Sequence, residues 1–258
     1  MKPVYKGITV AVMLLAFAAA IACGCGGGAK ARSDVKVSVA FLSGTVETQT
    51  GGAPEWKKAS QNAEITMADA IRTGEKSFAK LNFPDGSKVF LDESTTLNLT
   101  EVKLPAAEKS TLDIVLEVIT GSIFCDVSKR ENSKFEVETS TAVAGVKGTR
   151  FTVCMERAKE RNRRRNRGNS AVSSDKTPAP EGDITSVIVL EGMVEVKKRS
   201  GAIVTLASEE IAEITNDQKQ PEKEKLDLAK EKFAGIPLMK TLSPEDITQR
   251  IQVLSINK

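Results

Sequence analysis

The 258-residue sequence contains no histidine. This absence excludes imidazole-based triads, His-containing zinc sites and the commonest general base of enzymes. Cysteine is scarce as well. Of the 4 in the chain, Cys23 and Cys25 lie near the amino terminus, and only Cys125 and Cys154 remain beyond it. That is too few for a disulfide framework or a four-thiolate metal site. Charge of one sign is lacking too: 37 basic and 34 acidic residues leave a net +3, which gives no bias toward nucleic acid. Carboxylates such as Asp85, Asp92 and Asp126 are scattered through turn and strand-edge positions, with no spacing that pairs them for acid/base work. The reading is non-enzymatic, with no cofactor and no metal.

What is present begins with a secretory signal over residues 1–22. Lys2 and Lys6 supply the positive start, and Ile8 to Ala22 form an apolar run of about 15 residues. That run falls short of the roughly 20 residues that span a bilayer. The stretch Ala20-Ile21-Ala22-Cys23 resembles the lipobox of bacterial lipoproteins, although Ala20 stands where leucine is usual. The resemblance implies a lipid on Cys23, with Cys25 as the alternative acceptor, and places the protein on the periplasmic face of the envelope. Glycine after either cysteine leans toward the outer membrane. An ordinary secretory signal with two incidental cysteines is the competing reading. Residues 23–34 then form a glycine-rich, flexible tether.

From residue 35 to 215 the sequence is a succession of short runs in which Val, Ile, Thr and Phe alternate with Ser, Glu and Lys. Gly, Asp and Asn separate them, the pattern of many short strands. The expected fold is mainly β, a solenoid or sandwich. Pro84-Asp85-Gly86-Ser87 reads as a tight turn. Residues 155–183 are polar, basic and then Ser/Pro-rich, and read as an inserted loop. Residues 216–258 read as a helical extension, with Gln220 to Phe233 forming one helix. Ser243-Pro244-Glu245-Asp246 opens another that carries Ile247, Ile251 and Leu254 on one face. The expectation is that these helices fold back on the β domain.

Five stretches then gain a common meaning. They are Gly44-Thr-Val46 with Trp56; Ala70-Ile-Arg-Thr-Gly74 followed by Ser77 to Leu81 and Pro84-Asp-Gly-Ser87; Gly121-Ser-Ile123; Val137-Glu-Thr139 through Ala144-Gly-Val-Lys-Gly-Thr-Arg-Phe151; and Val187 to Glu195. In this order they resemble the periplasmic FecR domain, named for the ferric citrate regulator. Departures are Ser140 for the usual proline, Lys147 for the usual arginine, and Ala68-Asp69 for Gly-Asp. The resemblance marks Trp56, Asp85, Gly86, Gly145, Lys147, Gly148, Thr149 and Phe151 as motif positions. It implies an envelope-interaction role and, in its best-known members, cell-surface signalling. Those members carry a cytoplasmic anti-sigma segment ahead of the domain. A chain read as beginning with a signal peptide is not expected to hold a sigma factor in the cytoplasm.

Within Val137–Val153 the alternation changes parity. If Phe135, Val137 and Thr139 face inward, Val143 shares their phase and Val146 does not, so Gly145 and Gly148 are the expected sites of a bulge or corner. A ligand contact is the competing role for these glycines. Arg161, Arg163, Arg164, Arg165 and Arg167 concentrate positive charge without interleaved aromatics. They point to anionic lipid or polysaccharide phosphate rather than nucleic acid, or to a merely solvated loop. By alternation Cys125 points inward and Cys154 outward, which disfavours a bridge. Trp56 reads as a rim or core-capping residue, with sugar stacking as the alternative. The functional expectation is a lipid-anchored module that binds an envelope protein. A structural or polysaccharide-binding envelope protein, holding an anionic polymer, is the alternative.

Overall fold

The computed structural model describes residues 35–103, 112–129, 133–157, 182–216 and 221–225. The chain divides into two units, Met1–Arg32 and Ser33–Lys258, and the described residues belong to the second. They are mainly β, with no helix among them. Cys23, Cys25 and the arginines from Arg161 to Arg167 lie outside the described residues, as do residues 226–258.

In chain order the strands are β1 (Val37–Ser43), β2 (Val46–Gln49), β3 (Lys57–Lys58), β4 (Glu64–Ile65), β5 (Ala70–Thr73), β6 (Phe78–Asn82), β7 (Lys88–Leu91), β8 (Thr96–Lys103) and β9 (Asp113–Asp126). Then follow β10 (Phe135–Glu138), β11 (Ala142–Val146), β12 (Arg150–Glu156), β13 (Ile184–Glu191), β14 (Met193–Lys198), β15 (Ile203–Ala207), β16 (Glu210–Thr215) and β17 (Glu222–Lys225).

Two ladders share the long strand β9. The first runs β4-β1-β6-β7-β9-β12-β13-β16-β17. The second runs β3-β2-β5-β8-β9-β10-β11-β14-β15. Every pairing is antiparallel except β9 with β10. Asp113–Thr120 of β9 pairs in the second ladder, and Gly121–Asp126 pairs in the first. The strand turns at Gly121, whose φ is +92. A Cβ there would lie 2.5 Å from the Thr95 Cα, so only glycine lets β9 serve both ladders.

The inward faces of both ladders meet in one hydrophobic cluster. Val39, Leu81, Ile123 and Phe151 enter it from the first ladder, and Ile71, Leu97, Leu116 and Val194 from the second. Burying each such side chain stabilises by about 1.5–3 kcal/mol, and this shared core sets the register of the alternating strands.

Two boundaries differ from the sequence expectation. β12 continues through Glu156 because Met155 pairs with both Gly121 and Thr185 and is buried. The inserted loop therefore starts later than residue 155. Residues 222–225 form a strand, not the start of a helix. Their partner β16 is bonded to β13 on one side only, and its open backbone groups recruit β17, an edge-pairing gain that overrides helix propensity.

Candidate functional site

The corner between β11 and β12 carries the Gly-Thr step. Here the chain leaves the second ladder and enters the first. Gly148 adopts φ +67, and a Cβ on it would meet the Lys129 Cβ at 2.5 Å and Cα at 2.8 Å. Thr149 is buried; its hydroxyl donates to the Met193 carbonyl at 2.9 Å, and its own carbonyl accepts the Val127 N–H at 3.0 Å. The register slips between Arg150 and Phe151, after which Phe151 is fully buried opposite Cys125. Gly148 makes the corner, Thr149 fastens it and Phe151 anchors it in the core. The Arg150–Glu191 ion pair (2.7 Å) is solvent-exposed and adds little.

Gly145 does not mark the change of parity. It sits in a regular stretch of β11, where Ala142, Ala144 and Val146 face inward and Val143 is only half-buried. The parity changes earlier, at the Thr139–Thr141 turn, and again at Gly148. Thr139 accounts for the first change: its hydroxyl accepts the Thr141 and Ala142 N–H groups at 3.3 and 3.0 Å and donates to the Ala142 carbonyl at 3.1 Å. A hydroxyl-rich Thr-Ser-Thr step was the available signal, since such side chains form local turns.

Asp85 and Gly86 reach the same corner. Asp85 is buried, and its carboxylate accepts the Ser87 N–H at 2.9 Å and the Ser87 hydroxyl at 2.7 Å. The Ser87 oxygen in turn accepts the Ser128 N–H at 3.1 Å. A Cβ on Gly86 would stand 3.1 Å from the Ser128 Oγ, and one on Gly192 would stand 2.9 Å from the Thr149 Oγ1. The Asp-Gly-Ser turn, the Gly-Thr corner and the Glu-Gly hairpin are thus joined through Ser128–Lys129 and Thr149. Their buried polar groups bond to one another, which makes this cluster a structural joint.

The surface that is open lies on the outer face of the second ladder. Gly145 stands opposite Glu136 on one side and Glu195 on the other. Its missing side chain leaves a notch, with no atom closer than 3.9 Å to where a Cβ would be. Around it is a groove of about 450 Å3 lined by Lys134, Glu136, Gly145, Lys147, Met193 and Glu195. Met193 is 60% exposed, and Ile203 on the neighbouring strand is 57% exposed. Lys134 reaches Glu136 at 3.0 Å, and that hydrogen bond raises the lysine's pKa against the opposing effect of burial. The lining therefore offers apolar contact flanked by charges of both signs.

Trp56 is half-buried, and the Arg72 guanidinium lies 4.3 Å from its ring centroid. Arg72 is fixed in turn by Glu47, at 2.6 Å from Nη2 and 2.7 Å from Nε. One face of the indole is thereby occupied by protein. Cys125 and Cys154 are both buried. Cys125 belongs to the central core, whereas Cys154 belongs to a separate cluster with Ile188 and Ile211.

Residues 69–195 match the FecR family model, described as FecR protein. Two crystal structures of a candidate anti-sigma factor from Parabacteroides distasonis ATCC 8503, at 1.65 and 2.50 Å resolution, are similar to the chain at 22% identity and a TM-score of 0.42. The match covers 61% of this chain and 60% of that one. No curated protein matches the chain.

Proposed function

We propose that this chain is a lipid-anchored, non-enzymatic FecR-domain module of the bacterial envelope, with a regulatory role in signal transduction exercised by docking a protein partner. The FecR match supports the regulatory class. The two ladders, packed against one core and sharing β9, support the sandwich form of the fold over the solenoid. The observation that carries the docking reading is the groove at Gly145. It is a notch in an otherwise ordinary strand face, bordered by exposed Met193 and rimmed by lysines and glutamates, a composition suited to a protein surface. The amino-terminal cysteine motif supports the lipid anchor, on Cys23, and hence the outer-membrane location.

A photo-crosslinking residue placed at Thr205, which lines the groove, tests the reading in living cells. A discrete protein adduct that persists at roughly 0.5 M salt, where exposed charges are screened within a few ångströms, and that disappears in Met193→Asp, is the expected result. Binding only to anionic polymer, collapsing as salt rises, supports the polysaccharide alternative and ends the protein-docking reading.

A further inference from the structure

The two ladders differ in how many faces they bury. In the second ladder β14 alternates strictly, exposed then buried, as a sheet with one solvated face must. In the first ladder burial is continuous: Phe151–Met155 of β12 and Thr185–Val189 of β13 are all buried. The residues facing away from the core form a cross-strand row, with Phe90 opposite Phe124, Phe124 opposite Thr152, Thr152 opposite Ile188 and Ile188 opposite Ile211. Ile188 is 1% exposed, Ile211 2% and Cys154, beside the row, 4%. Isoleucines on an uncovered sheet face do not reach such values, so this face has a cover, and none of the described strands supplies it.

We propose that the outer face of the first ladder seats the chain's own carboxyl-terminal segment, residues 226–258. The chain leaves β17 at Lys225, immediately after Glu224, the partner of Ile211, so the segment starts at the end of the apolar row. The row spans five strands, about 19 Å at ~4.8 Å per step. The helix that the sequence pattern predicts over 243–254 would be about 18 Å long at 1.5 Å per residue, and Ile247, Ile251 and Leu254 would give it an apolar stripe of matching length. Residues 226–242 are long enough to bring it across the strands. Of the other segments, 158–181 is dominated by Arg, Ser and Pro and has no apolar stripe, and 1–22 is the signal read as removed on export.

The thiol of Cys154 reports on this cover, and that of Cys125, in the opposite core, reports on global opening. The full chain and a chain ending at Lys225 are treated with N-ethylmaleimide, and each site is quantified by peptide mass spectrometry. Truncation is expected to speed labelling of Cys154 at least tenfold while Cys125 stays protected. Cys154 remaining as protected as in the full chain, with Cys125 also protected, overturns the proposal. If truncation exposes both thiols, the fold has been lost, and the intact chain decides. A photoreactive p-benzoylphenylalanine at Ile251 is expected to crosslink to β12, β13 or β16, and crosslinks confined to the second ladder, or none to the β domain, overturn the proposal.

Discussion

Lys129 backs directly onto Gly148: its Cα would lie 2.8 Å from a Cβ at that position. Gly148→Ala therefore combines a left-handed residue, at about 1–2 kcal/mol, with an overpacked contact, at about 1–3 kcal/mol. A loss of at least ~2 kcal/mol is expected in urea unfolding followed by circular dichroism. Gly145→Ala meets no such barrier and should stay within about 1 kcal/mol of wild type while filling the groove. Equal destabilisation by the two would show that the corner is not where the constraint lies.

Thr149 links this corner to the β14 strand through the Met193 carbonyl. Thr149→Val keeps the shape and orphans that acceptor, with an expected cost of about 1–3 kcal/mol, whereas Thr149→Ser should retain most of the stability. Phe151→Ala empties a fully buried site and is expected to cost about 3–5 kcal/mol. The same unfolding measurement ranks the three.

Burial pushes the Cys125 thiol above its ordinary value of 9.0, with Asp126 adding to the effect. Above that value the unfolded chain releases the thiol proton and the folded chain keeps it. The folded state then binds more protons, and stability falls as pH rises. The expected contribution is about 1.4 kcal/mol per pH unit above pH ~9. Cys125→Ala, compared with wild type by urea unfolding between pH 8 and 10.5, should flatten that part of the slope.

The chain has 1 tryptophan, and Arg72 stacks on it. Arg72→Ala is expected to alter the Trp56 emission and to cost about 0.5–1 kcal/mol, the worth of a partly exposed cation–π contact. Glu47→Gln, which frees the guanidinium to move, should shift the emission in the same direction by less. An unchanged spectrum in Arg72→Ala would mean that the ring and the guanidinium are not in contact in solution.

Lipid attachment at Cys23 predicts that Cys23→Ser loses metabolically incorporated fatty acid and moves to the soluble fraction, while Cys25→Ser stays membrane-bound. The reverse pair of results moves the acceptor to Cys25. Retention of the lipid label by the double variant rules out both.

The motif positions were legible from the sequence to different depths. The Asp85-Gly86 turn and the corner at Gly148 follow from local backbone chemistry, because few residues besides glycine accept positive φ cheaply. Gly145 was misassigned by the same logic. Its partners in the ladder are Glu136 and Glu195, and parity counted along one stretch of chain cannot see that Thr139 had already turned the strand. The groove was invisible for a related reason: its lining comes from β10, β11, β14 and β15, which only pairing across the second ladder brings together.

The sequence by itself determined the β class, the inward residues of most strands and the opposite orientation of Cys125 and Cys154, because strand alternation is a local property with a period of two. It also held the FecR-like motifs that cross-strand pairing later joined. Tertiary structure alone decided that β9 divides into two ladders at Gly121, that the Asp-Gly-Ser turn meets the Gly-Thr corner through Ser128–Lys129, and that residues 222–225 become a strand. Each of those depends on which distant segment supplies a hydrogen-bond partner or a packed neighbour, and that choice is made by the described strands packing together against one core.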